Sequence, residues 1–380
     1  MAKTKNTSPT FPYHRIVVKF GTSLLTGGKA NLDQNIMSNL VAQLARLHEQ
    51  GLEIVVVSSG AIASGRHKLG LTGKLNGIPF KQVLASVGQS RLMYVYEQLF
   101  AGHDITVAQA LLTRADLCDR AGYLNARNTL LALMELGVIC IVNENDVVAV
   151  EELAGTRFGD NDNLSAMVAN LTDADLLILL TDIEGLYTAD PHLHPAARLI
   201  PQVEKIDSTI ECLAGDTAGN LGTGGMSTKI DAAKLATSSG VTMVIAAGNK
   251  PDVIVRLASG EAIGTRFLPM TTKLESRQRW MLSGLGTKGR LVIDSGAALA
   301  LKKQNSSLLS AGIKDAEGDF GRGEIVDIYG ADGSRIGCGI TNYSSNDIAI
   351  IKGKRSANIT SLLGYDYGAE VVHRNNLVVL

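Results

Sequence analysis

Six short, almost continuously apolar segments, separated by stretches with helical spacing, organise the first 260 residues. They run Ile16 to Phe20, Glu53 to Val57, Ile105 to Ala108, Val138 to Val142, Asp175 to Leu180 and Val241 to Ala246. Strands that are apolar along their whole length, not on alternate residues, are buried on both faces. Between them, Ile36, Leu40, Leu44 and Leu47 recur at helical spacing, and Gly51 follows as a stop signal. Further helical patterns lie at about 83–100, 121–136, 161–171 and 226–239. The alternation predicts an α/β chain, a three-layer αβα sandwich around a mainly parallel sheet. Ligands of such sheets gather beyond the carboxyl ends of the strands. That rule selects Gly21-Thr22-Ser23, Ser58-Ser59-Gly60, Asn143 to Asp146 and Thr181-Asp182.

The pattern breaks twice. Val147 to Gly159 fits neither strand nor helix and is expected to form a hairpin or flap beside the site. After about residue 275 the segments become short, β-rich and punctuated by glycine. The expected organisation is a flexible tail over 1–13, a large domain over 14–275 and a small β-rich domain over 276–380. Aromatics are 4% of the chain, so its core must be aliphatic, and a net charge of −1 argues against wholesale capture by nucleic acid or membrane. No apolar run is long enough to span a bilayer and the first residues lack a signal peptide, so a cytoplasmic location is expected. The four separated cysteines, with no C-x-x-C pair, are expected to be buried small hydrophobes.

Familiar nucleotide loops do not account for the glycines. There is no G-x-x-x-x-G-K-[ST], and Gly284, Gly286 and Gly289 precede a β-rich run instead of opening a helix. Gly222-Thr223-Gly224-Gly225-Met226-Ser227-Thr228-Lys229 does open a helical pattern. Such a loop offers free backbone N–H groups and the positive end of a helix dipole to an anion. Lys229 in that first turn opposes the dipole, so a ligand explains it better than local stability does. Lys19, at the end of an apolar strand, either snorkels to the surface or faces the ligand crevice. Gly159-Asp160-Asn161-Asp162-Asn163 carries more polar residues than a helix cap needs. His192 and His194 lack a third ligand nearby and read as a solvated loop.

Taken in order, several strings resemble the amino acid kinase family, and within it the branch that phosphorylates glutamate. They are Val18-Lys19-Phe20-Gly21-Thr22-Ser23, Ser59-Gly60-Ala61-Ile62-Ala63, Ala85-x-x-Gly88-Gln89, Asn143-Glu144-Asn145-Asp146, the 159–163 cluster, Leu180-Thr181-Asp182 and the 222–229 loop. The segment from Asp146 to Gly159 is a few residues longer than the family pattern. The tail, with Ser306-Ser307-Leu308-Leu309 and Leu362-Leu363-Gly364-Tyr365-x-Tyr367-Gly368, resembles a PUA domain. The resemblance implies a phosphotransferase that moves the terminal phosphoryl group of ATP, carried with Mg²⁺, onto the side-chain carboxylate of L-glutamate, the first step of proline biosynthesis. No metal site of the protein's own is expected.

The resemblance also implies roles for residues. Lys19 and Lys229 would contact the transferring phosphoryl group, and Asp162 would hold them. Lys19, Thr181, Asp182, Thr223, Gly224, Gly225, Met226, Ser227, Thr228 and Lys229 would bind ATP. Ser59, Asp146 and Asn161 would bind glutamate. Feedback inhibition by proline, a homo-oligomer and channelling to the next enzyme of the pathway are expected on the same ground, while RNA binding by the PUA-like tail stays open. Two rival readings are a kinase of the same fold with another acceptor and an RNA-binding protein with a degenerate kinase domain.

Overall fold

The structure, a computed structural model, describes residues 11–71, 77–149, 161–191, 193–215, 225–273, 287–304 and 306–379. Thr223, Gly224, Gly159, Asp160, His192 and the 150–158 part of the expected flap lie outside the described residues. Two compact units divide the chain: residues 1–118 with 126–273, and residues 119–125 with 274–380.

In the first unit the strands are β1 (Arg15–Phe20), β2 (Glu53–Ser58), β3 (Val107–Leu112), β4 (Ile139–Glu144), β5 (Leu176–Thr181), β6 (Gln202–Val203), β7 (Thr242–Ala247) and β8 (Thr265–Phe267). They form one sheet in the order β3-β4-β2-β1-β5-β7-β8-β6. Pairing is parallel from β3 to β7, and β8 turns antiparallel against β7. Strand alternation then sorts the side chains. Ile16, Val18 and Phe20 of β1 face a core shared with helices α2 (Gln34–Glu49), α4 (Ile78–Ala101) and α10 (Val253–Ala258). Lys19 therefore emerges on the opposite face, where α7 (Asn161–Leu171) and α9 (Met226–Ser238) pack.

The expected strands and long helices are present; β6, β8 and α10 are not among those expected, and three further differences stand out. The third strand starts at Val107, not Ile105: Ile105 is buried in the core ahead of it, and the strand runs along the sheet edge to Leu112. Ala61 to Lys68 forms a helix, α3, that carries too weak an apolar stripe to announce itself. Cys140 and Cys338 are buried as expected, but Cys118 and Cys212 are exposed, because they lie on the outer sides of short helices.

In the second unit β9 (Gly289–Ile293), β11 (Ile313–Gly318), β12 (Ile325–Gly330), β13 (Arg335–Ile340) and β15 (Leu377–Val379) form a sheet in the order β11-β9-β12-β13-β15. Its core gathers Leu291, Ile293, Val326, Ile328, Tyr343 and Ile348. Gly289 begins a strand and opens no helix, while Gly284 and Gly286 lie outside the described residues. Among the described residues no helix is long and apolar enough to cross a membrane.

Candidate active site

The site is built where β1, β5 and α7 end or begin. Gly21 N–H donates to the Leu180 carbonyl (3.3 Å), which ties the end of β1 to that of β5. Lys19, only 6% exposed, donates from Nζ to Asp162 Oδ1 at 2.6 Å. Asp162, 0% exposed in the first turn of α7, accepts from Lys229 Nζ on its other oxygen at 3.1 Å. The Thr228 hydroxyl reaches the same Oδ2 (2.9 Å) and the Gly225 carbonyl (2.8 Å), so its single proton is shared between them. Burial alone would raise the Asp162 pKa. The charges of Lys19 and Lys229, with their hydrogen bonds, outweigh it and hold the carboxyl well below the usual carboxylate range.

Lys229 is buried in the first turn of α9, whose N-cap is Gly225 without a side-chain cap. The dipole conflict noted in the sequence is thus met by a buried carboxylate. Thr181 Oγ1 donates to Asp182 Oδ1 at 2.8 Å, and Gly248 N–H donates to the Thr181 carbonyl at 2.8 Å. Met226 and Ser227 are half-buried at the start of α9.

Beside the lysines lies a cavity of about 580 Å³ lined by Ser59, Asp146 and Asn161 among others. It and the lysine pair share the first turn of α7, because Asn161 and Asp162 are consecutive. Asn161 Nδ2 donates to Ser59 Oγ (3.1 Å) and to Asn143 Oδ1 (3.2 Å), and Asn143 Nδ2 donates to Gln89 Oε1 (2.9 Å). Asn161 Oδ1 and Gln89 Nε2 are buried without a partner among the described residues. An unfilled buried acceptor beside a cavity is a place for a ligand donor. Asp146 is 9% exposed, and burial followed by the negative charge of Glu144 pushes its pKa up to about 6. A carboxylate under that strain gains from any cation brought to it.

The backbone turn that presents Ser59 needs glycine: Gly60 has φ +104°, and a Cβ there would sit 3.2 Å from Leu32. Sequence reasoning named the Asn143–Asp146 cluster but gave Asn143 no role, and it passed over Arg66 and Lys81, which line the same cavity. Recognising α3 as a helix would have turned Arg66 toward notice. Asp162 has both oxygens engaged, so the described lysine–aspartate cluster offers no open carboxylate for a resident metal.

The profile of the amino acid kinase family matches residues 14–247, and that of the PUA domain matches residues 289–363. A glutamate 5-kinase of Dehalococcoides mccartyi (strain CBDB1) is 60% identical over 97% of this chain and 99% of its own. One from Herpetosiphon aurantiacus is 53% identical over 96% of this chain and 98% of its own. One from Photobacterium profundum is 52% identical over 99% of this chain and 98% of its own. With both profiles in place and these identities over nearly full length, the chain belongs to the amino acid kinase family, in its glutamate 5-kinase branch, and carries a C-terminal PUA domain.

Proposed function

We propose that this protein transfers the terminal phosphoryl group of MgATP to the side-chain carboxylate of free L-glutamate, giving L-glutamyl 5-phosphate for proline synthesis. The observation that carries the reading is the pair of buried lysines on one aspartate, set beside a cavity that holds a cation-seeking carboxylate. A glutamate side chain has a reference pKa of about 4.3, so the nucleophile is already ionised at neutral pH and no general base is needed. The obstacle is repulsion between an anion and a polyanion. Lys19 and Lys229 neutralise it from two sides, and Asp162 holds both ammonium groups before the substrates arrive. Charge that is fixed in advance needs no reorganisation during transfer, and the rest is in-line positioning.

In this reading Thr181, Asp182 and the start of α9 carry the nucleotide. Asp146 takes the α-ammonium of glutamate, the unfilled oxygen of Asn161 accepts from the same end, and Ser59 is oriented by Asn161. Cytoplasmic location, proline feedback, homo-oligomeric assembly and channelling to the next enzyme of the pathway belong to the same proposal, supported by kinship with the branch. The test is hydroxylamine trapping of the acyl phosphate with ATP, Mg²⁺ and a panel of acceptors. Glutamate as the preferred acceptor supports the reading; preference for aspartate, N-acetylglutamate or a nucleoside monophosphate overturns it.

A further inference from the structure

The cavity has two electrostatic poles, and the proposed function uses one. Asp146 supplies the negative pole. On the cavity wall stand two half-buried cations, Arg66 from α3 and Lys81 from α4, while the side chain of Lys29, also on the wall, is 71% exposed. The helices that carry Arg66 and Lys81 are held against each other closely. A Cβ on Gly88 would lie 1.7 Å from the Ala61 carbonyl oxygen, and one on Gly65 would lie 1.9 Å from the Leu84 carbonyl oxygen. Arg66 follows Gly65 directly, and Lys81 stands two turns before Gly88 on α4, so both cations project from helices in close backbone contact. Gly60 and Ala61, at the uncapped start of α3, line the same cavity and add positive potential.

We propose that Arg66 and Lys81 form the subsite for the α-carboxylate of the acceptor, in the same cavity as Asp146, so that the cavity recognises a free α-amino acid by both of its charges. The inference rests on the glutamate reading and names how that site discriminates. Glutamate carries one ammonium and two carboxylates. Asp146 receives the ammonium, the lysine pair faces the reacting carboxylate with its phosphoryl donor, and Arg66 with Lys81 receives the remaining carboxylate. A half-buried guanidinium or ammonium makes a charge-assisted hydrogen bond to such a group.

The test uses the full chain and two analogues. 4-Aminobutyrate keeps the ammonium and the reacting carboxylate but lacks the α-carboxylate; glutarate keeps both carboxylates but lacks the ammonium. Binding is read by calorimetry and phosphorylation by hydroxylamine trapping, for wild type, Arg66→Gln, Lys81→Gln and the conservative Arg66→Lys. The expected result is glutamate binding weakened by about tenfold or more in each Gln variant, with the ATP KM within about twofold and 4-aminobutyrate binding unchanged. Arg66→Lys recovers part of the loss. Equal losses for glutamate and 4-aminobutyrate, or unaltered glutamate binding in both Gln variants, overturn the subsite. Intact glutamate binding without trapped product sinks the kinase reading instead, so the two failures are distinguishable.

Discussion

Lys19 Nζ lies 2.6 Å from Asp162 Oδ1, a contact that joins the end of the first strand to the start of a helix 143 residues later. Lys229 completes the arrangement on the other oxygen. The two ammonium groups thus share one buried carboxylate. In the proposed reaction both would face the incoming phosphoryl group.

Replacing Asp162 by Asn removes the buried carboxylate that Lys19 and Lys229 share. Breaking a buried pair in this way costs about 3–5 kcal/mol. Because the folded-state pKa is depressed, the stabilisation is fully present above the unfolded carboxylate value near ~3.9 and is lost as pH falls through the folded value. Denaturant unfolding at pH 7 is expected to show Asp162→Asn well below wild type, with the gap narrowing below about pH 4.

Asp146 works in the opposite sense. Its pKa is raised from 3.8 to about 6, so ionisation costs the folded state stability as pH rises from the lower value through the upper. Above pH 6 that cost reaches about 3 kcal/mol. Asp146→Asn is expected to melt a few degrees higher than wild type at pH 7.5, with the advantage gone near pH 4. The same variant raises the glutamate KM and leaves the ATP KM nearly unchanged. In wild type, glutamate kcat/KM falls as pH drops through about 6, and the variant loses that limb; pH-rate profiles of both proteins check it.

Gly88 has no room for a methyl group, with the Ala61 carbonyl oxygen 1.7 Å from the added carbon and Gly65 N at 2.5 Å. Backbone atoms cannot yield as a side-chain tip can. Gly88→Ala must part α3 from α4, at about 1–3 kcal/mol or more. Since Ser59 and Gly60 lead into α3, the glutamate KM is expected to rise along with a fall in melting temperature, both measurable on one preparation.

In the second unit, Leu124 is 0% exposed among Ile325, Cys338, Ile340 and Val378. A fragment ending at residue 275 would bare that leucine. The lysines, Asp162 and the cavity all lie in the first unit. The fragment is expected to retain phosphoryl transfer but to aggregate, and Leu124→Ser is expected to improve its solubility without altering the ATP or glutamate KM. Light scattering and the trapping assay read the two effects.

Much of the layered fold was legible because parallel strands buried on both faces have to be apolar throughout, and β1, β2, β4, β5 and β7 are. Lys19 stood out as the exception in such a strand, and alternation alone puts it opposite Ile16, Val18 and Phe20. That Lys19, Asp162 and Lys229 meet was not available from spacing, since tertiary packing of α7 and α9 on one sheet face makes the contact. Arg66 and Lys81 were silent for a different reason. Neither departs from what a solvated helix face contains, and only the glycine crossing of α3 and α4 directs them to the cavity. Cys118 and Cys212 were misjudged because a residue type's average burial says little about a single position at a helix surface.

The central claim is that two lysines, fixed in advance by one aspartate, let two anions meet. Single-turnover trapping of the acyl phosphate at saturating MgATP and glutamate, with Lys19→Ala and Lys229→Ala each compared with wild type, tests it most directly. A fall of about 10²–10³ in the rate for each variant, with the fold intact by circular dichroism, is the predicted result. A rate near that of wild type in either folded variant would contradict it.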